Sequence, residues 1–203
     1  KGEIIMGRRL GRKRLYALEK KGQSFSGSIG AGVSGSLVSR TVSRDGQMVI
    51  TDIVIDLGSS EGAINVPGIK RLMLGHSAST SAGATNFKAA HLGYVEHSES
   101  GIVTLVEATC LETPTGAPTR IELQFDSSAA KTYSGSAGTR VMELPTAAIG
   151  SSSQIAYDAD ELDGNYLYLA AGLPTSPVGT AVQTYTAGKI HIRLHGTMIP
   201  DDK

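Results

Sequence analysis

The alternation of apolar and polar side chains with a period of two is the feature that most limits how this chain can fold. It is clearest at residues 189–195. The apolar positions there are Ile190, Ile192 and Leu194, and the polar positions are Lys189, His191, Arg193 and His195. Because successive side chains of a strand point to opposite faces, the pattern predicts a strand with one face in a core. The other face is expected to meet water or a neighbouring subunit, which makes His191, Arg193 and His195 candidate subunit-facing residues.

The same period recurs along the chain, with Gly, Pro and Asp between the segments. Residues 47–57 direct Val49, Thr51, Ile53, Ile55 and Leu57 to one face and Asp52 and Asp56 to the other, and residues 120–125 direct Ile121, Leu123 and Phe125 inward and Glu122 and Gln124 outward. Further strands are predicted at residues 69–74, 87–97, 102–112 and 165–170. Glu99-Ser100-Gly101 is expected to be the turn of a hairpin between the second and third of these.

About seven strands, with turn residues and no strong helix between them, predict a mainly β protein with an antiparallel β-sandwich or jelly-roll-like body. Composition supports this, since 25 Gly, 22 Ser and 17 Thr disfavour long helices. The single cysteine, Cys110, cannot form an intramolecular disulfide. It is expected in mid-strand on the face shared by Ile102, Val106 and Ala108, as a buried inert thiol.

Charge divides the chain into two unequal parts. Residues 1–21 hold eight basic and two acidic side chains, whereas the rest of the chain holds 11 basic and 17 acidic ones. Residues 8–20 have an imperfect apolar stripe at helical spacing and Gly22 follows, which predicts a short basic helix. We therefore expect a basic arm at 1–22, a Gly/Ser-rich extended strap at 23–45, and the β-sandwich body at 46–203.

The cations of the arm are its candidate partner-binding residues, since they suit nucleic acid, an acidic membrane or an acidic protein surface. They are Arg8, Arg9, Arg12, Lys13, Arg14, Lys20 and Lys21. The simpler interpretation is that these basic side chains form the solvent-exposed face of the helix and bind no partner. Opposite charge on arm and body favours a homo-oligomer, with a trimer as one arrangement.

No residue pattern indicates catalysis, a metal site or a cofactor. The acidic segment 158–163 lacks the spacing of a calcium-binding loop and reads as a solvated turn. His191 and His195 would lie about 13 Å apart along an extended strand, too far to bind one metal ion. No apolar run approaches the roughly 18 residues that span a bilayer, so no membrane partner is expected.

Four segments carry a resemblance to a known family. They are GRRLGRKRLYALEKKGQ at 7–23, TDIVIDLG at 51–58, CLETP at 110–114 and KIHIRLHG at 189–196. With these segments in order, the chain resembles a family of virion structural proteins of marine tailed phages. The resemblance implies a non-enzymatic capsid decoration or cement protein on the virion surface, assembled in the host cytoplasm, with the major capsid protein as partner. It supplies no catalytic residues.

Two alternatives remain beside this interpretation. The chain could be a small jelly-roll major capsid protein whose basic arm contacts the packaged genome, which is the one reading that makes nucleic acid a partner. A receptor- or carbohydrate-binding module would need an aromatic platform, for which 3 Phe, 7 Tyr and no Trp offer little material.

Overall fold

The structure is a computed structural model, and the strands it contains confirm the prediction of a mainly β protein. It describes residues 38–59, 62–66, 75–76, 91–116, 120–128, 138–157, 161–171 and 183–198. The arm at 1–22, the strap as far as residue 37 and the strand expected at 69–74 lie outside these ranges. In chain order the elements are β1 (Val38–Asp45), β2 (Met48–Asp56), β3 (Gly58–Ser59), β4 (Gly62–Val66), β5 (Gly75–His76), β6 (His91–Val95), α1 (His97–Ser100), β7 (Ile102–Thr115), β8 (Ile121–Asp126), β9 (Thr139–Glu143), β10 (Ser152–Ala156), β11 (Asn165–Ala171), β12 (Gln183–Thr184) and β13 (Ala187–Thr197).

The largest sheet has five strands in the order β1-β2-β13-β7-β10, and each neighbouring pair is antiparallel. Its central strand, β13, alternates between buried and more exposed residues as the sequence predicts. The alternation predicted for 47–57 is also confirmed, because all five of its inward residues are buried in or next to β2. These strands are rich in Ile, Val and Thr, which suit a half-buried pleated surface.

A second sheet has four antiparallel strands in the order β6-β11-β8-β9. A small third sheet has the order β12-β4-β3, with β5 also paired to β4. The two larger sheets bury their inward side chains in one hydrophobic cluster. It includes Ile53, Ile192 and Leu194 from the five-stranded sheet and Leu123, Leu167 and Leu169 from the four-stranded sheet. Each such side chain contributes roughly 1.5–3 kcal/mol by leaving water. The shared core is consistent with a β-sandwich, and the jelly-roll topology stays a prediction.

The prediction of a hairpin turn at Glu99-Ser100-Gly101 is wrong. These residues form the end of α1 and the position after it, and Gly101 has a positive φ of 65°. The strands on either side belong to different sheets, since β6 pairs with β11 whereas β7 pairs with β13 and β10. The one-turn helix therefore carries the chain from one sheet to the other. A Cβ at Gly196 would lie 1.8 Å from the Ser100 carbonyl oxygen, so glycine on β13 permits this close crossing.

Two expectations about strand faces also need correction. Glu122 and Gln124 do lie on the face of β8 opposite the core residues, but both are buried and not turned to solvent. On β7, Val103 and not Ile102 joins the core, because the pairing with β13 shifts register between His195 and Gly196. Cys110 is buried, as expected.

The described end of the expected strap belongs to the body. Residues 38–45 form β1 and pair with β2 along their whole length, so the boundary expected at 45/46 falls inside a hairpin. Arg40 on this edge strand is buried, donates from Nη2 to Ser100 Oγ at 3.2 Å, and lies 3.6 Å from Glu99 Oε2. These contacts attach β1 to α1.

Candidate interaction surface

The outward side of the five-stranded sheet carries a band of charged residues, which we call the charged face. Strand pairing places β13, which carries the basic side chains, between β2 and β7, which carry the acidic ones. The members are Lys189, His191, Arg193 and His195 on β13, Asp52 and Asp56 on β2, and Glu107 and Glu112 on β7. Arg193 is the best example, since its register partners are Asp52 on one side and Glu107 on the other.

Asp52 is the centre of the contacts between β2 and β13. Its Oδ1 lies 2.7 Å from His191 Nε2 and accepts a hydrogen bond from Arg193 Nε, also at 2.7 Å. Burial acts to raise the pKa of Asp52, but the hydrogen bonds from Arg193 and His191 and their positive charge outweigh it and hold that pKa below its usual value. The fold therefore favours the ionised form of Asp52.

The contacts of β7 with β13 are of a different kind. Glu107 Oε2 lies 2.6 Å from His195 Nε2. The ammonium of Lys189 lies between two carboxylates, 3.4 Å from Asp56 Oδ2 and 3.6 Å from Glu112 Oε2. Asp56, and then Glu112, raise the pKa of Lys189. The face thus has four carboxylates but only two side chains, Lys189 and Arg193, that are cationic at all ordinary pH values.

A pocket of about 530 Å³ lies beside this face, between β7 and β10. Its lining consists of Glu107, Ala108, Thr109, Ser152, Ser153 and Gln154. Four of the six residues occupy outward positions of their strands, which follows from the register of Ser152 with Thr109 and of Gln154 with Glu107. Glu107 is the one charged residue among them, so the pocket presents a carboxylate in a neutral polar setting.

The structure places the three candidate residues of the last strand together on this face. His191 and His195 have partly buried side chains, Arg193 is more exposed, and each contacts an acidic side chain of a neighbouring strand. The seven cations proposed for the arm lie outside the described residues. Glu107 was missed by sequence reasoning, because nothing in residues 102–112 shows which strand will lie beside them.

The part of the chain that the structure describes offers few candidates for a metal site or a membrane-spanning segment. There, no group of three His, Cys, Asp or Glu side chains is placed to hold a metal ion. Of the acidic segment at 158–163, the described Asp163 accepts a hydrogen bond from the backbone N–H of His97 at 2.8 Å. No helix in the described ranges has the length and apolar character needed to cross a membrane.

The fold and the charged face together define a mainly β protein whose most chemically distinctive described surface is a sheet face of paired charges. Comparisons of the chain with protein-family models, with curated proteins and with solved structures give no match.

Proposed function

We propose that the protein is a non-enzymatic virion structural protein, a decoration or cement protein that binds and stabilises the major capsid lattice of a tailed phage. The observation that carries the proposal is the division of charge between a basic arm and an acidic body. A basic segment that precedes an acidic body suits attachment to an acidic protein surface, because opposite charges favour encounter and register.

The place where the arm joins the body supports this role. Residue 38 begins β1, which among the described residues is an edge strand of the five-stranded sheet. The preceding segment is thus attached at the rim of the body. Residues 22–37 could span at most about 55 Å if fully extended. That reach is sufficient for the basic residues to contact a neighbouring subunit of a capsid lattice, where an ordered segment can cover a large area.

The body supports the role as well. Its outward charges on β2, β13 and β7 are largely paired within the sheet, so the face is compatible with water. We expect the body to project from the capsid while the arm holds it in place.

Deletion of residues 1–22 tests the proposal. The variant should retain the β fold by circular dichroism, because β1 begins 16 residues later, and should lose binding to undecorated capsids. A control with the same length but with the seven arm cations replaced by Gln separates charge from length and should also lose binding. Undiminished capsid binding by both variants would reject the proposal.

The alternative role, a capsid protein whose arm binds the packaged genome, is favoured by five cations within residues 8–14. Such a cluster binds nucleic acid through release of counterions, with affinity that falls steeply as salt increases. Nuclease-protected nucleic acid that copurifies with salt-sensitive assemblies would select this role over the first.

A further inference from the structure

The two carboxylates of β7 are less closely paired with a lysine or arginine than the two carboxylates of β2. On β2, Asp52 accepts a hydrogen bond from Arg193, and Asp56 is the nearer of the two carboxylates beside Lys189. On β7, Glu112 is the more distant partner of Lys189. In the described part of the chain Glu107 contacts the imidazole of His195, and it is also attracted by the charge of Arg193, its register partner on β13. The side chain of Glu107 is 37% exposed and that of Glu112 is 43% exposed.

The surroundings of these two glutamates suit a cation. The pocket beside Glu107 is lined on its β10 side by Ser152, Ser153 and Gln154, none of which is charged. Residues 144–157, which lead into and include β10, contain no Lys or Arg. A guanidinium or ammonium group that approaches Glu107 from the β10 side therefore meets neutral polar groups first, whereas Lys189 and Arg193 lie on the β13 side of the two glutamates.

We infer that this half of the charged face, Glu107 and Glu112 on β7 with the adjoining pocket, receives the basic arm of a second copy of the chain. The arm has the required charge, with eight basic and two acidic residues in 1–21. This inference deepens the proposed function and rests on its basic arm, but it names a different partner, another copy and not the capsid.

The strand order explains why the arm comes from another copy. The arm joins at β1, one edge of the sheet, whereas the acceptor lies at β7 and β10, next to the opposite edge. An arm that folded back onto this site would first have to cross β2 and β13 of its own charged face, where Lys189 and Arg193 are already paired with Asp56 and Asp52. A donor and an acceptor at opposite edges make a head-to-tail contact, and such contacts close into rings when the rotation allows it.

Zero-length carbodiimide cross-linking of the full-length wild-type protein tests the contact directly, because it joins lysine to carboxylate only where they touch. Equal amounts of normal and ¹⁵N-labelled protein, both treated with nuclease, are mixed before the reaction. The expected products are mixed-isotope peptides that join Lys13, Lys20 or Lys21 to Glu107 or Glu112. Mass spectra that contain only single-isotope pairs, or cross-links from the arm to other sites alone, would overturn the inference.

A matched pair of variants measures the contribution of the two glutamates. Glu107→Gln with Glu112→Gln should weaken self-association by about tenfold and reduce its salt dependence, as expected for the loss of two partly exposed charge pairs. Glu96→Gln with Asp126→Asn removes the same charge from residues outside the charged face and should leave association unchanged. Equal effects of the two pairs in sedimentation equilibrium would contradict a local contact.

Binding of the wild-type protein to undecorated capsids, measured beside the cross-linking, separates this inference from the proposed function. If the wild-type protein binds capsids but shows no mixed-isotope cross-link, the contact between copies is wrong and the decoration role stands. If the cross-link forms but capsids are not bound, the contact stands and the decoration role fails.

Discussion

The outward faces of the two large sheets differ in how polar side chains are accommodated. On the five-stranded sheet, charged residues such as Asp52 and Glu107 remain partly exposed and pair with basic residues of β13. On the four-stranded sheet, Glu122, Gln124 and Tyr168 occupy the corresponding outward positions but are only 2%, 1% and 0% exposed. One sheet has a single buried face, and the other is buried on both faces along β8 and β11.

Burial on the second sheet requires partners inside the protein for its polar groups. Gln124 donates from Nε2 to Glu122 Oε2 at 3.3 Å, and its Oε1 accepts a hydrogen bond from the backbone N–H of Gly138 at 2.9 Å. Arg140 Nε lies 3.4 Å from Glu122 Oε1 and compensates its charge. A polar residue at an outward position of a strand therefore does not by itself mark an exposed face, because a satisfied polar group can be buried.

Truncation of Tyr168 should have the largest effect on stability. Its ring is fully buried on the outward side of β11, and its hydroxyl donates to the Ser128 carbonyl oxygen. Tyr168→Ala should lower the free energy of unfolding by about 3–4 kcal/mol, as for other large buried rings. His191→Ala, at an outward position of the other sheet, should cost less than about 1 kcal/mol. Denaturant unfolding that gives similar losses for both variants would remove the difference between the faces.

The two glutamates Glu122 and Glu107 give a smaller but more specific contrast. Glu122→Ala should cost about 2 kcal/mol, because it leaves the buried amide of Gln124 without its acceptor and removes the carboxylate beside Arg140. Glu107→Ala should cost at most about 0.5 kcal/mol, because its position is partly exposed and water replaces the lost contact. Thermal unfolding in which Glu107→Ala is the more destabilising variant would reverse the comparison.

The smallest effect concerns acid stability of the charged face. The pKa of Asp52 is lower in the folded protein than in the unfolded chain, where aspartate titrates near about 3.9. Its contribution to stability is therefore present above about pH 4 and is lost as pH falls through the lowered folded value. Because the side chain is 28% exposed, solvent screening keeps this contribution below about 1 kcal/mol.

Asp52→Asn should flatten the decline of stability below about pH 4, since asparagine does not titrate. Arg193→Gln should flatten it as well, because it removes a hydrogen bond that lowers the pKa of Asp52. Urea unfolding at several pH values between 2 and 7 measures both. An acid decline as steep in Asp52→Asn as in the parent protein would show that other carboxylates account for it.

Three strands of the five-stranded sheet, β2, β13 and β7, could be predicted from the sequence because apolar residues alternate along them, whereas β1 was assigned to the strap and β10 was not predicted. The inward residues of 47–57 and the polar side of 189–195 were both found from period two alone. The same reasoning placed Asp52 and His191 on outward faces but could not bring them within 2.7 Å of each other. Which strands become neighbours depends on pairing between residues that are 139 positions apart in the chain.

The errors have the same origin. Glu99-Ser100-Gly101 suits a tight turn locally, yet the strands that flank it pair with different partners in different sheets. Glu122 and Gln124 were predicted to face solvent because alternation shows which residues lie opposite the core side of a strand. It does not show whether other parts of the protein cover that opposite side. In both places long-range packing overrode a correct local signal.

The sequence by itself determined that the alternating stretches at 47–57, 120–125 and 189–195 become strands, which of their residues enter the core, and that basic residues are concentrated ahead of an acidic body. These properties follow from the backbone geometry of single strands and from charge, both of which are local. Only the tertiary structure decided that β13 lies between two acidic strands and that the outward side of β8 and β11 is buried. Those outcomes depend on contacts between segments that are distant in the chain, and the local sequence of one segment does not show which other segment will contact it.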